Sequence, residues 1–150
     1  MQELSISEIL KDSLGDKHKD FLIPPPIFEL MRGEFLVIDV KARRIKTRFP
    51  ILAEYQNPYR TMQGGMVAAA VDNTLGPLSM LVAPPNVTRR LEMKYSLPIT
   101  IDLEYIIVEG VLLERDGRRL TFSAEVRDQE GKLLARGQSL HWIIDESEEQ

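Results

Sequence analysis

The segment GGMVAAAVDNTLGPLSML, residues 64–81, constrains this chain more than any other. Apolar residues occupy most of its positions rather than one stripe, so a helix built from it must be buried on more than one side. Something has to wrap around it. The chain that follows supplies the wrapping, in four stretches that alternate apolar and polar residues with the period of a β-strand. In VTRRLEMKYSL, Leu91, Met93, Tyr95 and Leu97 oppose Arg90, Glu92, Lys94 and Ser96. IDLEYIIVEGVLLER sets Ile101, Leu103, Tyr105, Ile107, Val111 and Leu113 on a single face, and RLTFSAEVRD points Leu120, Phe122, Ala124 and Val126 inward. Asp116-Gly117 and Glu130-Gly131 turn the chain, the second into KLLARGQSLHWII. Half-polar strands do not suit a parallel sheet covered on both faces, which argues against a doubly wound fold. A four-stranded meander with one apolar face, covered by one apolar helix, is the α+β arrangement expected.

The preceding residues are expected to be peripheral. SISEILKDSL reads as a short amphipathic helix, capped by Ser5 or Ser7, with Ile6, Ile9 and Leu10 apolar and Gly15 as its stop. The prolines of FLIPPPIFELMRG fix an extended entry to one or two helical turns ending at Gly33. GEFLVIDVKARRIKTRF reads as one strand from about Glu34 to Phe49, broken by Pro50. Gly76-Pro77 predicts a kink or new turn in the central helix, and Pro84-Pro85-Asn86 its end. The division is thus an N-terminal helical segment over 1–33, one domain over 34–144 and a frayed acidic tail over 145–150.

Composition removes several classes of function. With no cysteine, disulfides, thiolate metal sites and a cysteine nucleophile are excluded. His18 and His141 belong to no ligand-spaced motif, so neither a metal site nor a histidine triad is expected. A formal charge of −4 argues against a general nucleic-acid binder. No stretch reads as membrane-spanning and the N-terminus lacks the order of a secretory signal, so a cytoplasmic protein is expected.

Asp72 stands out. A carboxylate after Val67-Ala68-Ala69-Ala70-Val71 is costly to bury without partners. Either it lies on an exposed strip, bonded to Asn73, Thr74 or a neighbouring strand, or it is a partly buried base or nucleophile. Gly64-Gly65 reads most simply as a loop-to-helix entry. Gly65 and Asp72 are seven residues apart, on the order of 10 Å along a helix, so one carbonyl cannot touch both in the same chain. Two such helices packed antiparallel across a two-fold axis would bring the start of one to the middle of the other.

NPYRTMQGGMVAAAVDNTLG, residues 57–76, resembles the signature of the hot-dog fold thioesterases, the branch that includes the phenylacetate-pathway and 4-hydroxybenzoyl-CoA enzymes. The matching positions are Asn57, Gln63-Gly64-Gly65, Asp72 and Gly76. The resemblance covers roughly 34–144 and implies a hot-dog fold, an antiparallel sheet around a long central helix. It implies hydrolysis of an acyl-CoA thioester by a homodimer or dimer of dimers, with no cofactor and no metal. In that reading Gly65, with Gly64 and Gln63, binds the carbonyl oxygen. Asp72 of the other subunit is general base or nucleophile, Asn57 orients the water or the loop, and Thr88 holds Asp72. Met66, Leu75, Leu78 and Met80 are candidates for the acyl pocket.

The motif departs from the family at Gln63, where the family has histidine, and at Arg60 and Thr61, where a glycine often precedes that histidine. A glutamine donates a hydrogen bond but cannot titrate near neutrality. Arg89 and Arg90, with Arg43, Arg44 and Arg48, are candidates for the phosphates of CoA, against an ordinary role on a solvated sheet face. Tyr55 and Tyr59 stay open between lid and pocket wall, and ordinary core or surface roles suffice for His141 and Trp142. Three rivals remain: a non-catalytic acyl or acyl-CoA binding protein, a dehydratase for hydroxyacyl thioesters, for which neither histidine is placed, and a purely structural protein.

Overall fold

The computed structural model describes residues 6–144. The side chains of the expected caps Ser5 and Ser7, and the acidic tail, lie outside the described residues. Helix α1 (Ile6–Leu14) ends where Gly15 takes φ +60°, and a 3-10 turn leads to the short helix α2 (Pro26–Leu30). Strands β1 (Glu34–Asp39) and β2 (Arg44–Pro50) precede the long helix α3 (Gly64–Val82). Then come β3 (Asn86–Tyr95), β4 (Tyr105–Asp116), β5 (Arg119–Arg127) and β6 (Leu133–Ile143).

The six strands form one antiparallel sheet in the order β1-β2-β4-β5-β6-β3. Its apolar face curls over α3. Val67, Ala70, Val71, Leu75 and Leu78 of the helix meet Ile45 and Phe49 of β2, Ile106 and Val108 of β4, and Leu120, Phe122 and Val126 of β5. Each large side chain so buried contributes roughly 1.5–3 kcal/mol. Closest approach falls at Gly110, where a Cβ would sit 2.7 Å from Leu75 Cδ2 and 3.1 Å from Ile45 Cγ2. That explains a glycine in the middle of a strand. At the N-terminus Leu10 and Met31 are fully buried, and Asn73 Nδ2 donates to Met31 Sδ at 3.4 Å, so α1 and its sequel lie along one flank of α3.

Five expectations need correcting. The single strand over Glu34–Phe49 is a hairpin, because Asp39 Oδ1 accepts from Ala42 N at 2.9 Å and Arg43 takes φ +56°. A turn built on an aspartate and a left-handed arginine carries no glycine or proline to announce it. The last four strands are not one meander: β3 crosses to the far edge and pairs with β6, while β2 reaches β4.

In β4 the buried face is Ile106, Val108, Gly110 and Leu112, the opposite of the one the alternation selected, and Leu113 is exposed. Both faces of β4 are apolar, and residues 101–103 form a 3-10 turn rather than extending it. Next, α3 runs unbroken through Pro77, and Ser79 Oγ donates to Gly76 O at 2.7 Å beside it. Finally, α3 is by length and composition apolar enough to cross a membrane, with mean hydropathy 1.2. Half of that window is buried inside the protein, as befits a core helix.

Candidate active site

Two clusters of the expected residues form along α3, one at its start and one at its middle. At the start, a short 3-10 turn over Ala53–Tyr55 leads into a loop that Asn57 holds shut. Its Oδ1 accepts from Tyr59 N (2.9 Å), Thr61 N (3.1 Å) and Thr61 Oγ1 (3.2 Å), and Arg60 takes φ +64°. Asn57 is thereby a loop-building residue. Gln63 N donates to Tyr55 O at 2.8 Å, and Gln63 O accepts from Met66 N and Val67 N, which opens the helix. The amides of Gly64 and Gly65 precede that first helical bond and so have no partner within the helix.

The two glycines differ in surroundings. Gly65 is exposed, with nothing within 4 Å of the place a Cβ would take. At Gly64 the Tyr95 ring lies 3.1 Å from that place, and Tyr95 Oη donates to Gly64 O at 2.5 Å. Burial raises the pKa of this phenol, so it remains a donor. A cleft of about 310 Å³ opens beside them, lined by Asn57, Thr61, Gly64, Val67, Tyr95 and Leu97. The Gln63 side chain is exposed and makes no capping bond to the helix.

At the middle of α3, Asp72 is exposed in the single chain, the first of the two alternatives that its place in the sequence left open. It lies on a strip that the sheet leaves uncovered, with Gly65, Ala68 and Gly76. Thr88 Oγ1, from β3, donates to Asp72 Oδ1 at 3.3 Å. A β-bulge between Thr88 and Arg90 shifts the register of β3 on β6, and Thr88 lies opposite His141. Thr88 Oγ1 is 3.5 Å from His141 Nε2, and His141 Nδ1 is 2.8 Å from Asn86 Oδ1.

His141 is the functional candidate that sequence reasoning passed over. It is fully buried, its ring 4.7 Å from that of Phe122. Burial lowers its pKa, against the opposing pull of the Asp72 charge. The inward alternation of β6 carried the one usable signal; what lay beyond it was the pairing of β6 with β3.

The remaining candidates make contacts of their own within the chain. Arg90 is ion-paired with Glu92, Arg48 with Glu34, and the Arg89 guanidinium lies 5.8 Å from the Trp142 ring centre. Leu75 and Leu78 are fully buried under the sheet, whereas Met66 and Met80 are half-buried. Tyr55 packs on the core with its hydroxyl buried, and Tyr59 is exposed.

No family model matches the chain. Several solved structures superpose on most of it. The phenylacetic acid degradation-related protein of Ralstonia eutropha JMP134 does so with TM-score 0.76 at 19% identity, over 90% of this chain and 98% of that one. The PaaI protein of the E. coli phenylacetic acid degradation operon gives 0.75 at 10% identity, over 94% and 97%. This is the hot-dog fold. A third structure, smu.793 of Streptococcus mutans bound to acetyl CoA, gives 0.67 at 13% identity, over 74% of this chain and 89% of that one. In sequence, the acyl-coenzyme A thioesterase 13 of Homo sapiens is 25% identical over 114 residues, 73% of this chain and 80% of the relative.

Proposed function

We propose that the protein is an acyl-CoA thioesterase whose two active sites are each completed across a homodimer. The observation that carries this is the placing of Asp72, held by Thr88 on an open strip of α3, while the free amide of Gly65 lies at the start of the same strip. A resemblance in sequence to an acyl-coenzyme A thioesterase supports the substrate class. Small residues at Gly65, Ala68 and Gly76 allow two helices to approach closely and antiparallel.

In that pairing the thioester carbonyl oxygen accepts from Gly65 N–H, strengthened by the helix dipole, and the developing oxyanion is stabilised there. Asp72 of the partner subunit takes the proton of a water as its oxygen bonds to the carbonyl carbon. As the C–S bond breaks, the proton passes to the departing sulfur, leaving free acid and CoA. Direct attack by the carboxylate is the alternative first step. Asn57 keeps the loop that carries Gln63-Gly64 in place, and Arg89 and Arg90, on the strand of Thr88, serve the phosphates of CoA.

One feature favours a second reading. Gln63 replaces a titratable side chain, so the site could hold an acyl-CoA without cleaving it. A hydrolysis panel of short, long and aromatic acyl-CoAs on the wild type and on Asp72→Asn separates the two. Turnover lost in the variant, with dimer and ligand binding retained, supports the enzyme. Binding without turnover at any chain length supports the binder.

A further inference from the structure

Four polar side chains form a chain running inward from the strip: Asp72, Thr88, His141 and Asn86. Their proton positions follow from the inner end. Asn86 Nδ2 donates to Pro84 O at 2.9 Å and to Ser79 O at 3.3 Å, which turns its Oδ1 toward His141 Nδ1 at 2.8 Å. An amide oxygen only accepts, so Nδ1 carries the proton and the neutral ring offers a bare Nε2 to Thr88. Thr88 has one hydroxyl proton and two acceptors, Asp72 Oδ1 at 3.3 Å and His141 Nε2 at 3.5 Å. Both contacts are long for hydroxyl bonds. When the proton points to the carboxylate, the Thr88 oxygen faces the Nε2 lone pair with nothing between them.

The resting chain is therefore one proton short. Adding one satisfies every member. If Asp72 takes it, Asp72 O–H donates to Thr88 Oγ1 and the Thr88 hydroxyl turns to His141 Nε2. We infer that His141 is a positioning residue for Asp72: its Nε2 accepts a hydrogen bond from the Thr88 hydroxyl when Asp72 takes a proton from water, and so makes the carboxylate a better base. No proton is lost or gained in the swing, and the one held by Asp72 leaves with the thiol of CoA. This inference rests on the hydrolase reading above and deepens it. The groups facing His141 are Asp72 from α3, Asn86 and Thr88 from β3, and Phe122 and Leu120 from β5, of which Asp72 alone carries an ionisable side chain.

The test uses wild type, His141→Phe, His141→Gln, Thr88→Val and the double variant Thr88→Val/His141→Phe, with kcat and KM for an acyl-CoA followed against pH. His141→Phe should lower kcat about tenfold with little change in KM, as expected for one hydrogen bond made only in the protonated state. Its acid limb should move to lower pH, because the protonated carboxyl loses its link through Thr88 to an acceptor. Glutamine, which can offer an acceptor to Thr88, should recover part of kcat. The double variant should be no slower than Thr88→Val alone, since His141 acts through Thr88.

Imidazole ¹⁵N spectra of the wild type should show the Nδ1–H tautomer, and Asp72→Asn should lower the His141 pKa. Those readings need no turnover and stand even if His141→Phe fails to fold. An Nε2–H tautomer overturns the inference, as does a His141→Phe enzyme with unchanged kcat and pH profile, or a loss that adds in full to that of Thr88→Val. A wild type that cleaves no acyl-CoA overturns the hydrolase reading and this one with it.

Discussion

The side of α3 under the sheet and the strip the sheet leaves open are made of the same kinds of residue and answer to different demands. Under the sheet, Val67, Val71, Leu75 and Leu78 are all but fully buried, and the strands accommodate them closely enough to require Gly110. Along the strip, a Cβ at Gly65 or Gly76 would meet nothing in the single chain, and a carboxylate occupies the middle. The first side is explained by packing within one chain. The second makes physical sense as a surface for another helix, with Asp72 and Thr88 already in hydrogen-bond contact upon it.

Substitutions on the two sides should fail differently. Asp72→Asn should reduce thioester turnover by about 100-fold or more, the range for loss of a general base, with thermal stability nearly unchanged. If turnover survives, the strip is not catalytic. Leu75→Ala, on the covered side, should cost about 2–5 kcal/mol in urea unfolding through the cavity it leaves. A smaller loss would mean that the sheet closes over the gap. Thr88→Val should slow turnover about tenfold by releasing one bond to a charged group, with the fold intact.

Acid should act through the covered side. Burial holds the His141 imidazole below its ordinary value of 6.5, so the unfolded chain takes up that proton first as pH falls. The contribution is fully present above about pH 6.5. It declines below that at up to about 1.4 kcal/mol per pH unit, until the folded ring also protonates. His141→Phe should flatten this decline in a series of unfolding midpoints against pH.

The smallest effect is the sharpest on the strip itself. Gly76→Ala should stabilise an isolated protomer by up to about 1 kcal/mol through helix propensity, since its Cβ would meet nothing. If a second helix lies there, the same change should weaken dimerisation, measured by sedimentation, and slow turnover. Stabilisation with unchanged association would remove the helix-to-helix pairing.

Much of this was legible before any coordinates. The period of two put Leu91 and Met93 on the core side of β3, though Tyr95 and Leu97 are exposed, and gave β5 its buried Leu120, Phe122, Ala124 and Val126. The apolar run gave α3, and the oddity of Asp72 pointed to the strip. What stayed hidden has local causes. The turn after Asp39 rests on a side-chain bond and a left-handed arginine, neither of which composition reveals. In β4, residues of both parities are apolar, so alternation could not choose between Ile106 and Ile107, and only its neighbours in the sheet did.

The sequence by itself determined that one helix would be enclosed by antiparallel strands, because periodicity is a property of consecutive residues and solvent reads it directly. It also placed a carboxylate seven residues beyond a glycine pair. Only the tertiary structure decided that β3 lies beside β6, which brings Thr88 and His141 to Asp72 from positions 16 and 69 residues away. Strand order depends on which edges meet after the chain has crossed the helix, and no local pattern encodes that choice.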